Sequence, residues 1–432
     1  MKKILFIFCL IILNSQNAFS TSLNDALSLA YKNNKELNAE RENINVSKED
    51  LKISRSEFLP TITLSGSKSQ ETTNKLTDRN GSNSAITDVN PKTQSIDIEQ
   101  KIFQGFSGVA SIKKSKIGLN LAEAKLLKVE QDILYKAVEA YSGLLFSNEK
   151  LIINQDNVNL LERQVEADQA RLERGQITLA DLAQSESSLA GAQAKLIEAR
   201  NDLVTAKLTY EKIIGPINDF KTLDKNIDLD FEIPLELNES IKISKINNPD
   251  LIISKLEFEQ SEKDMIIAKS DLSPSATLSY NSSKTDDLSS TFDERDKEIL
   301  KATISWPIFK GGKNTASLNK SKNLRNRKKL LFDNAIKNNE TNVASAWSSL
   351  QSSSSLLNSV KSQVKAAEIA NEGITIEYES GLGRSTLDLI QSNSILLSSK
   401  ISLAESERNY LLSQFKLLQS IGMLNNNYLK LQ

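Results

Sequence analysis

The chain has 432 residues, 39% hydrophobic and only 6% aromatic, a lean composition for one large globular core and a better fit to long helices. Its 54 basic and 55 acidic side chains leave a formal charge of −1, so nothing points to the basic surface that a nucleic-acid partner needs. With no histidine and one cysteine, Cys9, imidazole and most thiol chemistry are excluded from the outset.

In chain order, Lys2 and Lys3, the apolar run Ile4 to Leu13 and the small-residue site Ala18-Phe19-Ser20 have the layout of a secretory signal peptide, residues 1–20. Cys9 lies inside it, so the mature chain, beginning near Thr21, is expected to hold no disulfide and no thiol nucleophile. Beyond the signal no stretch of about 18 uncharged apolar residues occurs, which excludes a membrane-spanning helix. Entry into a membrane would then require a β-barrel.

The rest reads as two copies: a first structural repeat over 21–215, an acidic irregular linker over 216–236, a second repeat over 237–422 and a short polar tail over 423–432. Leu23-Asn24-Asp25-Ala26 opens the first copy, and Leu237-Asn238-Glu239-Ser240 opens the second, 214 positions on. Each opens with a helical segment that ends before a proline, at Phe58-Leu59-Pro60 and Leu272-Ser273-Pro274, because proline disfavours helix at the residue before it.

After each proline the apolar period changes to two, with Ile62 and Leu64 in the first copy and Ala276, Leu278 and Tyr280 in the second. A second strand follows in each, Ile96, Ile98 and Ile102 alternating with Asp97, Glu99 and Lys101, then Leu300, Ala302, Ile304 and Trp306 alternating with Lys301, Thr303 and Ser305. Thr72 to Asn90, with Asn80-Gly81 as a turn signal, and Lys284 to Asp296 lie between the paired strands. Each copy is therefore expected to hold one hairpin with a long hydrophilic loop.

From Gly108 to Arg174 the first copy has no proline, and Leu126, Val129, Ile133, Ala137, Ala140 and Leu144 recur at three- and four-residue steps. At 1.5 Å per residue such a helix is roughly 100 Å long, several times a bilayer core of about 30 Å. The return helix carries a heptad ladder, Leu182, Leu189, Leu196, Leu203 and Tyr210, with Leu179, Ala192, Ala199 and Ala206 on the intervening rungs. The same ladder returns as Leu389, Leu396, Leu403, Tyr410 and Leu417, 207 positions on, and a seven-residue repeat predicts supercoiled helices. Four strands per chain cannot close a barrel, since even the smallest membrane barrels need about eight, whereas three chains would supply twelve.

The sequence resembles the TolC-type outer-membrane channels of Gram-negative export systems over essentially the whole mature chain. The most specific stretches are Ile308-Phe309-Lys310-Gly311-Gly312 and Tyr378-Glu379-Ser380-Gly381 followed by Asp388-Leu389; the first copy's Ile102-Phe103-Gln104-Gly105 lacks the second glycine. The resemblance implies a mainly α protein with a membrane β-barrel, internally duplicated. It further implies a homotrimer sharing a twelve-stranded β-barrel in outer-membrane lipid, four strands per chain, continuous with an α-helical coiled-coil barrel across the periplasm. Such a channel-tunnel docks to a periplasmic adaptor protein and an inner-membrane transporter that supplies the energy. The rival reading is a periplasmic coiled-coil structural or adaptor protein without a membrane barrel.

No catalytic, cofactor or metal residues are expected: there is no Gly-x-Ser-x-Gly, and Gly312-Lys313 is followed by Asn314, so it is no phosphate loop. Interest falls instead on the two helix turns. Thr178 to Asp181 and Ser385 to Asp388 have the spacing of a helix-capping box, and Gly175 and Gly381 would end the preceding helices in left-handed conformation. From the resemblance, Asp181, Tyr378 and Arg384 match residues whose polar links hold the tunnel mouth shut, and Gln391 stands where some members carry an acidic ring. Tyr210 and Tyr410 are expected as packing rungs, and Ser352 to Ser355 as small residues permitting close helix packing.

Overall fold

The computed structural model describes residues 22–431, apart from positions 78, 82–83, 218–219, 221–222, 226–231, 235, 290 and 381–382. The expected signal peptide, residues 1–20, and Gly381 therefore lie outside the described residues. In chain order the elements are α1 (Leu23–Asn33), α2 (Lys35–Ser56), β1 (Thr61–Lys68), β2 (Glu71–Thr77), β3 (Ser84–Val89), β4 (Lys92–Gln104), α3 (Ser107–Glu173), α4 (Leu179–Ile213), α5 (Leu237–Asn247), α6 (Pro249–Ser270), β5 (Ser275–Asp286), β6 (Glu294–Ser305), α7 (Lys313–Glu379), α8 (Thr386–Ile421) and α9 (Asn426–Leu429). The protein is mainly helical; α3 and α7 each run for 67 residues, α2 and α6 for 22, and α1 and α5 for 11. No described helix is long and apolar enough to cross a membrane.

Two compact units divide the chain, and both draw on both sequence copies. One comprises Ala39–Leu126 and Pro249–Asn338 and contains every described strand. Its main sheet has the order β1-β4-β5-β6 and is antiparallel throughout, with β4 and β5 joining the two copies. Register places Ile62, Ile98, Tyr280 and Leu300 in one row across all four strands, with Leu64 beside Ile96 in the next row on that face. Because successive side chains alternate between faces, Thr61, Thr63, Asp97, Glu99, Asn281 and Lys301 fall on the other side. The apolar face is bare: Leu64 and Ile304 are each 78% exposed.

Thr72 to Asn90, expected to be a loop, instead carries the antiparallel pair β2–β3, closed through Asn80-Gly81 with Gly81 at φ +72°. Its threonines, Ile86 and Val89 suit a pleated ribbon, and polarity had concealed that preference. At the opposite end of the sheet four helices stand side by side in the order of their strands. Ser54 of α2 meets Ser115 of α3 (Oγ to Oγ, 2.6 Å), Lys114 of α3 pairs with Asp264 of α6 (2.6 Å), and Glu257 and Glu262 of α6 pair with Lys328 (2.6 Å) and Arg325 (3.8 Å) of α7.

The second unit comprises the chain up to Asn38, then Leu127–Asn248 and Asn339–Gln432. Ile133, Leu134, Ala137, Val138, Tyr141 and Leu144 are buried along α3, as are Phe415, Leu417, Leu418 and Ile421 at the end of α8. The ladder of α4 faces inward from Leu182 through Ala192, Leu196, Ala199 and Tyr210, and Val158 and Leu161 of α3 pack on Ala192 and Leu196. Leu179, expected on that ladder, is 70% exposed, because as the first residue of α4 it precedes the point where the helices meet. Tyr210 is buried, and burial pushes its phenol up to about 12; Tyr410 is only half-buried.

Asn34 and Asn248 break the helical segments into α1/α2 and α5/α6, and each donates its side-chain amide to the end of a return helix, Asn34 to the Ile213 carbonyl (3.4 Å) and Asn248 to the Ser420 carbonyl (2.8 Å). Gly422 caps α8 at φ +82°, and a Cβ there would lie 2.3 Å from the Asn247 carbonyl oxygen. In the linker Leu223 is buried and the Asp224 carbonyl accepts from the Tyr141 hydroxyl (2.8 Å). The expected short polar tail is instead packed. Leu424 is buried, and the Asn426 N–H donates to Glu130 (2.6 Å), because two buried leucines, Leu424 and Leu429, suffice to seat α9.

Candidate functional site

The site grows from two helix starts. At α4 the Thr178 hydroxyl accepts from the Asp181 N–H (3.2 Å), while the Asp181 carboxylate accepts from the Thr178 N–H (2.9 Å) and hydroxyl (2.7 Å). Ser385 and Asp388 repeat this at α8, at 3.2, 3.0 and 2.9 Å. Both are complete capping boxes, which satisfy amides that the first helical turn leaves free. Those hydrogen bonds hold both carboxyls below the usual carboxylate range, for Asp181 chiefly through the Thr178 hydroxyl and for Asp388 chiefly through the Ser385 amide. Gly175 closes α3 at φ +71°, donating to the Leu172 carbonyl while Gln176 donates to that of Arg171, both at 2.9 Å.

Tyr378, near the end of α7, is buried, and its hydroxyl donates to Oδ1 of Asp168 on α3 (2.7 Å). Having given its single proton there, it accepts from the Thr386 hydroxyl at the start of α8 (3.1 Å). The Ser185 hydroxyl on α4 donates to Asp168 Oδ2 (2.7 Å), and the Gln164 amide donates to both oxygens (3.0 and 2.9 Å). Arg171 lies across the Tyr378 ring, 4.2 Å from its centroid, and donates to its backbone carbonyl at 3.5 Å. Burial raises the Tyr378 phenol above its ordinary value, and the Asp168 contact raises it further. One carboxylate with no exposed surface thus ties together α3, α4, α7 and α8.

The expected trio is not brought together within the chain. Asp181 caps its own helix, Arg384 pairs with Glu377 (2.6 Å) in the open, and the carboxylate that Tyr378 meets is Asp168. Asp388 is likewise engaged in capping, and Gln391 is exposed on α8. Asp168 and Ser185 were absent from the sequence reading, yet both carried a signal. Asp168 stands seven residues after Leu161, and Ser185 seven before Ala192, so each puts a polar group on an apolar rung.

Against known proteins, the outer membrane efflux protein family matches residues 26–216 and again 241–423. The outer membrane efflux protein BepC of Brucella suis biovar 1 is 26% identical, over 98% of this chain and 90% of its own length. The alkaline protease secretion protein AprF of Pseudomonas aeruginosa is 20% identical, over 98% of this chain and 88% of its own. The structure of the CmeC outer membrane channel of Campylobacter jejuni shares the fold, with a TM-score of 0.82 at 16% identity over 93% of this chain and 85% of that one. With both halves of the chain matched, the protein belongs to the outer membrane efflux protein family, the family of the TolC-type channels that its sequence resembles.

Proposed function

We propose that the protein is the outer-membrane exit duct of an efflux or type I secretion system and works as a homotrimer. The observation that carries this reading is the sheet β1-β4-β5-β6, whose apolar face is bare, whose other face is polar and whose two edge strands have no further strand partner among the described residues. An uncovered apolar face suits lipid, a polar one suits a water-filled lumen, and edges disappear when three sheets close into twelve strands. The rival periplasmic adaptor would have to keep Leu64, Leu300 and Ile304 in water. Two matches to one family model support an ancestral duplication into repeats 21–215 and 237–422.

The chain would serve as a passive duct, with energy supplied by an inner-membrane transporter through a periplasmic adaptor. Its relatives' names include both efflux and protease secretion, so the cargo class is left open between small molecules and secreted protein. The turns after α3 and α7 would form the periplasmic mouth, with Gly175 and the caps Asp181 and Asp388 shaping them. Tyr378 on Asp168 would then act as the latch, while Arg384 and Gln391 face the opening. Purified in detergent, the full mature chain should size as a trimer and conduct ions in planar bilayers; a monomer without conductance at any voltage would overturn the reading.

A further inference from the structure

Helix α7 opens with seven basic residues and no acidic one between Lys313 and Phe332. Arg325 and Lys328 are used against α6, but Lys320 and Arg327 are exposed, and neither has a hydrogen-bond or ion-pair partner among the described residues. At the other flank of the same unit, α2 exposes Glu42 and Glu49, one heptad apart as Lys320 and Arg327 are. We propose that Lys320 and Arg327 pair with Glu49 and Glu42 on α2 of a second copy of this chain, so that these two charge pairs set the register between neighbouring copies. The inference rests on the trimer reading above and assigns its helical contact.

Strand direction supplies the first argument. Because β1-β4-β5-β6 is antiparallel throughout, β1 and β6 run in opposite senses, and β6 of one copy can take β1 of the next as an antiparallel neighbour without breaking the alternation. That pairing sets α2, which leads into β1, beside α7, which follows β6. Level supplies the second. Glu49 and Glu42 lie seven and fourteen residues before Ser56, the last of α2; Lys320 and Arg327 lie seven and fourteen after Lys313, the first of α7. At 1.5 Å per residue the two pairs fall about 10 and 21 Å from their helix ends, matching rung for rung.

Facing is the third argument. On α2, Ser54 points at α3, and Glu49 and Glu42 lie about 120–140° round from it at 3.6 residues per turn. On α7, Lys320 and Arg327 lie about 110–130° from the direction shared by Arg325 and Lys328 toward α6. Since the two helices run oppositely, these rotations bring both pairs to the same side of the helix row. Within α2, Glu49 pairs with Lys52 (2.7 Å) and Glu42 accepts from the Asn45 amide (3.0 Å), exposed contacts that Lys320 and Arg327 of the neighbouring copy would share or displace; on the other side of the row Lys48 stands level with Lys322, two like charges.

Cys9 is the one cysteine in the sequence and lies in the signal, so introduced cysteines report without background. In the full mature chain, Glu49→Cys with Lys320→Cys, and Glu42→Cys with Arg327→Cys, should give covalent dimers and trimers on mild oxidation. Glu49→Cys with Lys322→Cys, on opposite sides of the row, should not. As an energetic readout, Lys320→Glu should weaken trimer association about two- to five-fold at low salt, and Glu49→Lys added to it should restore the parent value. A trimer by size that neither crosslinks at these pairs nor shows the rescue overturns this contact alone. A parent chain that sizes as a monomer overturns the trimer reading and this contact with it.

Discussion

Asp168 accepts from three side chains on three different helices, and its partner Tyr378 is shielded from water, so the bond between them has the strength of a charged hydrogen bond rather than a surface one. Tyr378→Phe should remove about 1.5–3 kcal/mol of that tie. Single-channel conductance should rise while detergent trimers persist, whereas unchanged conductance would reduce the bond to packing. Asp388 makes the opposite kind of contribution, exposed and dependent on pH. Its folded-state pKa is depressed, so the cap's contribution is present above the unfolded value near 3.9 and lost as pH falls through the folded one. Asp388→Asn should therefore melt below the parent at pH 6 and converge with it toward pH 3; a constant gap would mean the cap acts through shape alone. The caps were legible because their chemistry is local, three residues from hydroxyl to carboxylate. Asp168 was not, because the tyrosine that explains it lies 210 residues away.

Among the elements, periodicity was the most reliable guide where one chain buries both partners of a contact. The α4 ladder and the α3 positions opposite it meet as the repeat predicts, and Leu196 is buried in one cluster with Val158, Leu161 and Ala192. Leu196→Ala should cost about 2–4 kcal/mol, seen as a lower melting temperature by helical circular dichroism, with Leu179→Ala nearly silent because that side chain is exposed. Gly422→Ala should be worse than its size implies, since it forces a side chain onto the Asn247 carbonyl as well as into a left-handed backbone. Equal melting of Gly422→Ala and parent would mean that α8 ends less tightly against the α5/α6 break. Hairpin β2–β3 and the seated tail were missed for a common reason: composition averages over a stretch, while a few β-formers or two leucines are enough to order it.

On the scale of the whole molecule, the sheet's exposed apolar face and its edges, open among the described residues, are what lipid and neighbouring copies would cover in the proposed trimer, and strand patterning announced half-burial without saying by what. Orientation, however, follows from the strand-bearing unit alone. The ends of β1, β4, β5 and β6 nearest Thr61, Gln104, Ser275 and Ser305 adjoin the four helices; the opposite ends carry only hairpin β2–β3 and the turn at Asp287 to Asp293, linked where the Asn90 N–H donates to the Asp287 carboxylate. If the strands span the outer membrane, the helix-bearing end must lie in the periplasm, where helices as long as α3 and α7 have room and partners. The polar hairpin must then lie outside the cell. A short epitope inserted beside Asn80, in the turn between β2 and β3, should be labelled by antibody on intact cells and leave export unchanged. Labelling only after the outer membrane is breached would place that turn in the periplasm and reverse the direction of every strand in the sheet.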